Sequence, residues 1–337
     1  MYAIIGIIRP NIRVVDLNTN EVDLCSIRLL RKLSFMKYIV GVGRGVEQGV
    51  IKVYKSDVII DSLKSDYAVM GIDFPYDITF TSDKVRLEQC LNHDIVIAVI
   101  PYGVTVVNSQ AFDNCSSMTT VRFPDSVYCI GESAFESNVL SALDLPRKIK
   151  YIENYAFAGS LYIESVVFPP TLERLGDSCF TRCLALKSVD LSKTDATLGV
   201  SAFASCTSLT EVLLPKTLEK LPKDCFYNCT HLSHIDLPDT LSEIYDSCFE
   251  KCLRLTEIDL PESVTVIRSR AFYNCDRLKR VCIPENVVSI AADAFGADTF
   301  YLTDEGVDDT YDFVVKCKEG SYADRYAQQH GYTVEYY

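Results

Sequence analysis

The sequence predicts an α/β solenoid, a stack of about nine short repeated units whose strands form one parallel sheet, with a small α+β domain in front of it. Two observations lead to this fold class. An Ala-Phe or Cys-Phe dipeptide recurs at a nearly constant spacing, and a strand-like phrase that ends in proline stands before most of these dipeptides. The 337 residues are 48% hydrophobic, which excludes a largely disordered chain.

Residues 1–94 come first and show no repeat. Their hydrophobic pattern is mixed and predicts a hairpin turn or helix start around residues 18–20, a helix near residues 22–33, and strands at residues 3–8, 12–17, 38–43, 50–54 and 58–60. Gly41, Gly43 and Gly45 follow a predicted strand, but they lack the spacing of a nucleotide-binding loop. A hairpin turn explains these glycines better, and a small α+β domain fits the region.

The repeats begin at a wholly apolar segment, Ile95 to Ile100. A strand that is apolar at every position is typical of burial on both faces, so we expect Ile97 and Val99 to be covered. The simplest cover is the N-terminal domain, which would then cap the first layer of the solenoid.

The repeat itself spans residues 95–302, and its period is 23 residues with a single spacing of 22. Within a unit, Val212 and Leu214 alternate with polar residues and are predicted to point inward. In the second half of a unit, Val264 and Ile267 take inward positions before the phenylalanine. Stacking copies about 4.8 Å apart buries all of these side chains. The repeated phenylalanines are Phe112, Phe135, Phe157, Phe180, Phe203, Phe226, Phe249, Phe272 and Phe295.

Most of the 14 cysteines follow the same period. Six of them lie three residues after a repeat phenylalanine, namely Cys115, Cys183, Cys206, Cys229, Cys252 and Cys275. Cys179, Cys225 and Cys248 precede the phenylalanine, which creates three C-x-x-x-C pairs that superficially suggest zinc. A stacked column of small buried thiols explains the spacing better, because free cysteine packs as a small hydrophobe.

The outward positions of the repeated strands form the candidate binding surface, and their middle is acidic. The candidate partner-binding residues are Asp144, Asp190, Glu211, Leu213, His234, Asp236, Glu257 and Asp259. Asp236 and Asp259 are predicted to be direct neighbours, which is unfavourable for like charges. Two interpretations stay open: a docking strip for lysine and arginine groups of a partner, or acids that keep an exposed sheet soluble.

Metal binding and catalysis have weaker signals. His231, His234 and Asp236 form H-x-x-H-x-D, but His231 is predicted to lie in the loop before the strand, so we predict neither a metal nor another cofactor. Calcium bridging of the acidic row is similarly weak, because one sheet face supplies no enclosing loop. Cys90 and His93 are a thiol and an imidazole close together in sequence, and a structural role fits them better than catalysis. The chain is therefore predicted not to be an enzyme, the alternative being catalysis in residues 1–94.

Charge and hydropathy restrict the partner and the location. Residues 1–95 carry 12 basic and 12 acidic residues, so the net charge of −13 lies wholly in residues 96–337. Such a surface disfavours nucleic acid and favours a basic protein surface. No apolar run reaches the roughly 20 residues of a membrane helix, and the first residues lack the features of a signal peptide. We therefore expect a cytoplasmic protein without membrane insertion.

The repeat resembles a known family, the BspA-like leucine-rich repeats. The segment FASCTSLTEVLLPKTLEKL, residues 203–221, matches that family's unit nearly position for position, and the resemblance covers residues 96–302. Residues 303–337 look like the strand, short helix and strand that often close such arrays. The resemblance implies a right-handed solenoid with a concave parallel sheet that binds proteins or host surfaces. It implies an interaction scaffold and, as an alternative, a secreted or cell-surface adhesin.

Overall fold

The fold was analysed in a computed structural model, which describes residues 2–8, 11–16, 22–26, 75–80, 84–101, 103–296, 302–303, 306–307 and 313–337. The repeats form a parallel-sheet solenoid of about ten turns, which confirms the predicted fold class. The described part of the array contains strands and turns but no helix. The one helix among the described residues, Tyr322–Gln329, lies in the closing segment.

An antiparallel three-stranded sheet lies at the start of the chain, with strands Tyr2–Ile8, Asn11–Asp16 and Val22–Ser26. The helix predicted near residues 22–33 is wrong over its first five residues, because Val22–Ser26 pairs with Asn11–Asp16. The backbone hydrogen bonds of Val22–Ser26 are therefore made to a neighbouring strand instead of within a helix. The strands predicted at 38–43, 50–54 and 58–60, and the glycines at 41, 43 and 45, lie outside the described residues.

Most repeats contribute one strand to a first ladder, formed by the phrase before the proline. Successive strands pair in parallel with a register of about one repeat, as in Ser188 with Glu211 and Val189 with Val212. The strands of the first ladder are Ile97–Val99, Thr120–Arg122, Ala142–Asp144, Ser165–Val167, Ser188–Asp190, Glu211–Leu213, Glu257–Asp259, Arg280–Cys282, Val314–Cys317 and Thr333–Tyr336.

The second half of most repeats contributes a shorter strand to a second ladder, which is interrupted after Thr197, an isolated bridge partner of Arg174. Its members are Tyr76–Phe80, Val85–Cys90, Val106–Val107, Cys129–Ile130, Tyr151–Ile152, Arg174–Leu175, Lys220–Leu221, Glu243–Ile244, Val266–Ile267 and Ser289–Ile290. The first member is antiparallel to the second, while Val85–Cys90 already pairs in parallel with the repeats. The second ladder therefore begins before residue 95, and a domain boundary at residue 94 stays a prediction.

The turn that carries the phenylalanine is held by left-handed backbone positions. In one repeat these are Ser201 with φ 56° and Ser205 with φ 59°. Such positions cost energy for residues other than glycine. Hydrogen bonds to the next turn compensate: the Ser201 amide donates to the Lys223 carbonyl (2.9 Å) and the Phe203 amide to the Cys225 carbonyl (3.0 Å). Short pairings also occur at Phe272–Tyr273 with Phe295–Gly296, and at Leu302–Thr303 with Gly306–Val307.

The core is a stack of phenylalanine rings that runs along the solenoid. Neighbouring rings from Phe112 to Phe295 lie with centroids 4.7 to 5.8 Å apart and nearly parallel. Phe313 continues the stack at 5.4 Å with a larger tilt of 36°. The predicted inward residues, including Val264 and Ile267, are buried. The period seen in the sequence thus comes from one aromatic side chain in each layer.

The hairpin of Tyr76–Phe80 and Val85–Cys90 covers one end of this core. The Tyr76 ring packs edge-on against Phe112, and its hydroxyl accepts a hydrogen bond from the Val99 amide (3.0 Å). Val99 is half-buried, but the side chain of Ile97 is 51% exposed. The hairpin extends the second ladder and does not cover Ile97, and a cover formed by the N-terminal domain stays a prediction.

The closing segment covers the other end with the expected strand, helix and strand: Val314–Cys317, Tyr322–Gln329 and Thr333–Tyr336. The helix begins where the Ser321 hydroxyl accepts a hydrogen bond from the Asp324 amide (3.2 Å), an ordinary N-cap. Tyr326 packs edge-on against Phe295 at 6.2 Å. The helix thereby shields the last phenylalanines from water.

Candidate functional site

The candidate site is the outward row of side chains on the first ladder. In each strand the central residue is buried and its neighbours face outward, as in Ser165–Val167 and Glu257–Asp259. All eight residues predicted for this surface are exposed: Asp144, Asp190, Glu211, Leu213, His234, Asp236, Glu257 and Asp259. Their exposure places them where a partner could reach them, and their role stays a prediction.

The strand register aligns five outward residues into one column, which we call the mixed column. Acidic and apolar side chains alternate along it in the order Asp144, Val167, Asp190, Leu213 and Asp236. Val167 is 81% exposed and Leu213 is 38% exposed. Val167 was not among the predicted partner-binding residues. Its position 23 residues before Asp190 was the available signal.

The first ladder is interrupted just after the mixed column. Asp236 forms an isolated bridge with Leu213, while Glu257–Asp259 pairs onward with Arg280–Cys282. Among the described residues no backbone pairing joins Asp236 to Asp259, and the placement of these two acids as direct neighbours stays a prediction. Like charges side by side destabilise paired strands, which favours loss of pairing at this step.

Three carboxylates of the acidic row have partners. Asp190 accepts hydrogen bonds from the Ser192 hydroxyl (2.6 Å) and the Ser192 amide (3.0 Å), and these bonds hold the pKa of Asp190 below its usual range. His234 Nε2 lies 3.0 Å from a carboxylate oxygen of Asp236.

Glu257 is paired with Arg280, at 2.8 Å. Arg280 follows Glu257 by one period, so the repeat alone could have predicted this pair. In the described part of the chain, the carboxylates of Asp144, Glu211 and Asp259 make no hydrogen bond or ion pair. Asp144 lies in register beside Arg122 of the neighbouring strand, whereas Glu211 and Asp259 lie in register beside Ser188 and Cys282.

The outward face of the second ladder differs, because its charges are largely paired. Glu173 contacts Lys150 (2.6 Å), and Glu243 contacts both Arg268 (2.9 Å) and Lys220 (3.2 Å). Hydrogen bonds from Lys150 hold the pKa of Glu173 below its usual range, and those from Arg268 do the same for Glu243. The first ladder is thus the face on which acidic groups remain available.

The histidine motif does not come together as a metal site. His231 is half-buried, and its Nδ1 lies 3.3 Å from the Thr230 hydroxyl, whereas His234 contacts Asp236. Over the described ranges, no group of three or more His, Cys, Asp or Glu side chains is placed to hold a metal ion.

The cysteine columns are part of the core. The thirteen cysteines whose side chains the structure describes are thiols rather than disulfides, and eleven of them are buried. The Cys206 thiol donates to the Phe180 carbonyl (3.2 Å) and the Cys229 thiol to the Phe203 carbonyl (3.2 Å). Burial raises the pKa of both thiols, which keeps them protonated and unreactive. Cys90 interacts with Cys115, while His93 is exposed.

Comparison with known proteins identifies the repeat. The family model for the BspA type leucine rich repeat region matches residues 88–210 and 196–304, in six copies. No curated protein matches the chain. In the part of the chain that is described, no helix is long and apolar enough to cross a membrane.

Solved structures of bacterial leucine-rich-repeat proteins are similar. One from Bacteroides ovatus is 25% identical, with a TM-score of 0.60, over 79% of this chain and 67% of its own. A Treponema protein, described as T. pallidum leucine rich repeat protein, is 26% identical with a TM-score of 0.47, over 60% of this chain and 88% of its own. A leucine rich cell surface protein from Faecalibacterium prausnitzii is 24% identical with a TM-score of 0.40, over 63% of this chain and 62% of its own. The family match spans more than half of the sequence, and the chain therefore belongs to the BspA-type leucine-rich-repeat family.

Proposed function

We propose that the chain is a non-catalytic interaction scaffold that binds a partner protein through the outward face of the first ladder. The observation that carries this proposal is the mixed column, in which exposed Val167 and Leu213 alternate with carboxylates. Val167 is 81% exposed, and an exposed apolar side chain does not make a surface more soluble. A protein interface, in contrast, combines apolar contacts with charged groups.

The spacing of the column restricts the partner. Neighbouring strands lie about 4.8 Å apart, so carboxylates on every second strand are about 10 Å apart with one apolar side chain between them. Leu213 has Asp190 on one side and Asp236 on the other. The complementary surface carries lysine or arginine groups at that spacing around an apolar residue, and charge attraction speeds its association.

The charge distribution supports a basic protein partner over nucleic acid. The net charge of the whole chain is −13, and within the described ranges the carboxylates of Glu211 and Asp259 on the first ladder make no hydrogen bond or ion pair. A phosphate backbone is repelled by such a surface. We infer that nucleic acid does not bind this face. We also infer that the repeats of this chain present a binding surface rather than a catalytic pocket.

A secreted or cell-surface adhesin is the second candidate function, and membership of the BspA-type family favours it. The buried thiols favour a reducing compartment, because each column thiol such as Cys206 is used as a hydrogen-bond donor rather than in a disulfide. Thiol titration of protein isolated from its natural source separates the two locations. A nearly full complement of thiols fits the cytoplasm, and extensive oxidation fits the surface.

Site-specific photo-cross-linking tests the binding face. A photoactivatable amino acid placed at Leu213 is expected to capture a partner whose cross-linked peptide is rich in lysine or arginine. The matched control places the same group at Val288, which is 65% exposed and precedes a strand of the second ladder. Equal capture of the same partner from both positions, or capture from Val288 alone, would overturn the proposed face.

A further inference from the structure

The cysteine column obeys one rule along most of its length. In five successive repeats the thiol donates to the carbonyl of the residue 26 positions earlier, which is always a phenylalanine of the stack. The pairs are Cys183 with Phe157, Cys206 with Phe180, Cys229 with Phe203, Cys252 with Phe226, and Cys275 with Phe249. A thiol held in this way points at a backbone oxygen and not at the next thiol in the column.

Cys115, which stands first in the column, departs from this rule. Its thiol interacts with the thiol of Cys90, a residue outside the column, in the strand Val85–Cys90. Both sulfur atoms also approach one acceptor, the Asn92 carbonyl oxygen, at 3.3 Å for Cys90 and 4.0 Å for Cys115. Two thiols from adjacent turns therefore meet at one point.

The two thiols are electrostatically different. The interaction with Cys115 lowers the pKa of Cys90, whereas the same interaction raises the pKa of Cys115. Cys90 thus carries the thiolate when the pair ionises, and the thiolate is the form that reacts with oxidants.

Access to the pair is limited by one short segment. Both side chains are at most 1% exposed, but residues 91–94, which follow Cys90 directly, are all exposed. The carbonyl that receives both thiols belongs to Asn92 in this segment. Local opening of this exposed segment is the motion by which peroxide would reach the sulfur atoms.

We propose that Cys90 and Cys115 are a peroxide-oxidised dithiol, which closes into a disulfide that ties the first turn of the solenoid to the second. In the first step the Cys90 thiolate attacks hydrogen peroxide, the O–O bond breaks, and Cys90 sulfenic acid and hydroxide form; the hydroxide takes up the proton that Cys90 released on ionising and becomes water. In the second step the Cys115 sulfur attacks the Cys90 sulfur, the S–O bond breaks, and the hydroxide leaves with the Cys115 proton as water. The two thiols lose two electrons in total, and one peroxide becomes two waters.

The disulfide would close a loop that contains Ile97–Val99, the first strand of the first ladder. Cross-linking restricts the unfolded chain, so this end of the array is expected to open less often. The oxidised protein should therefore resist proteolysis within residues 91–114 for longer than the reduced protein.

The test is peptide mapping of the intact, full-length chain after incubation with hydrogen peroxide. Remaining thiols are blocked with N-ethylmaleimide in acid and denaturant, and the protein is digested without reductant. The expected product is a Cys90–Cys115 linked peptide, lighter than the two separate peptides by two hydrogen atoms. Cys206 and Cys229 are the internal control, because they are column neighbours whose thiols point at carbonyls.

Two outcomes would overturn the proposal. One is a digest in which Cys90 and Cys115 both remain blocked by N-ethylmaleimide at every peroxide concentration. The other is a digest in which links between column neighbours such as Cys206 and Cys229 form at least as fast. Cys115→Ser is expected to leave Cys90 as a sulfenic acid that a dimedone probe captures. If that variant does not fold, the peptide map of the wild-type protein still shows whether the Cys90–Cys115 disulfide forms.

Discussion

At the scale of single residues, the phenylalanine stack explains why the period of the sequence is so strict. Phe203 lies between Phe180 and Phe226 with ring centroids 5.8 Å away on each side, and it is fully buried. A ring in this position fills one whole layer of the core, so neither a smaller nor a shifted side chain can replace its contacts.

The change Phe203→Ala is therefore expected to destabilise the protein by about 3–5 kcal/mol, the usual cost of removing a buried aromatic ring. Chemical denaturation followed by circular dichroism measures the change in midpoint. Leu213→Ala is the control, because its side chain is 38% exposed and lies on the outward face. A Phe203→Ala midpoint that matches the control would contradict the stacked core.

Asp190 offers a test of the electrostatics at the same scale. Its pKa is lowered first by the Ser192 hydroxyl and then by the Ser192 amide. A carboxyl whose folded pKa is depressed adds stability at pH values above its ordinary pKa, and this contribution is lost as pH falls through the lowered value. Ser192→Ala should raise the pKa of Asp190 towards its ordinary value, as followed by carboxyl carbon NMR. Ser192→Thr keeps the hydroxyl and should leave the pKa low; equal pKa values in the two variants would refute the assignment.

At the scale of elements, close approach between turns limits which residues are tolerated. A Cβ atom on Gly199 would lie 2.4 Å from the carbonyl carbon of Gly176 in the preceding repeat, and that neighbour is backbone. The sequence shows glycine at both positions, but it does not reveal the contact, because other repeats carry larger residues there.

Gly199→Ala is expected to force the two turns apart and lower stability by roughly 1–3 kcal/mol, as other overpacked sites do. The midpoint of urea unfolding measures the loss. Val200→Ala is the matched control next to it, since the Val200 side chain is 40% exposed and its truncation should cost little. A Gly199→Ala protein as stable as this control would show that the turns have room to separate.

Periodicity predicted the elements of the repeats well and those outside them less well. Alternating apolar residues identified strands such as Glu211–Leu213 and Glu257–Asp259. Val22–Ser26 was predicted as the start of a helix, and it is a strand because a neighbouring strand pairs with it. The interruption between Asp236 and Asp259 was also not predicted, since the period is continuous there and only the balance of charge repulsion and pairing decides it.

At the scale of the whole molecule, the solenoid presents two long faces with different charge balance. The second ladder pairs its charges, as in Glu243 with Arg268, while the first ladder exposes the mixed column from Asp144 to Asp236. The sequence was sufficient to place the acidic residues on one face. It did not reveal which acids have partners, because side-chain pairs such as Asp190 with Ser192 depend on local geometry.

Because the proposed interface relies on charge, its affinity should fall as salt rises. Ions screen exposed charges over about 10 Å at 0.1 M salt, comparable to the spacing of the carboxylates. Titration of the cross-linked partner at increasing sodium chloride is expected to weaken binding mainly through slower association. An affinity independent of salt would indicate that the apolar residues Val167 and Leu213 act without Asp190 and Asp236.

The most direct test of the binding face is a pair of double charge reversals with the same change in net charge. Asp190→Lys with Asp236→Lys alters both acids beside Leu213, whereas Glu132→Lys with Glu136→Lys alters two exposed acids near the phenylalanine turn. Calorimetric titration of the partner, with circular dichroism confirming the fold, should show Kd raised at least about tenfold, or about 1.4 kcal/mol, for the first pair and nearly unchanged for the second. Equal affinities for the two folded variants would contradict binding at the first ladder.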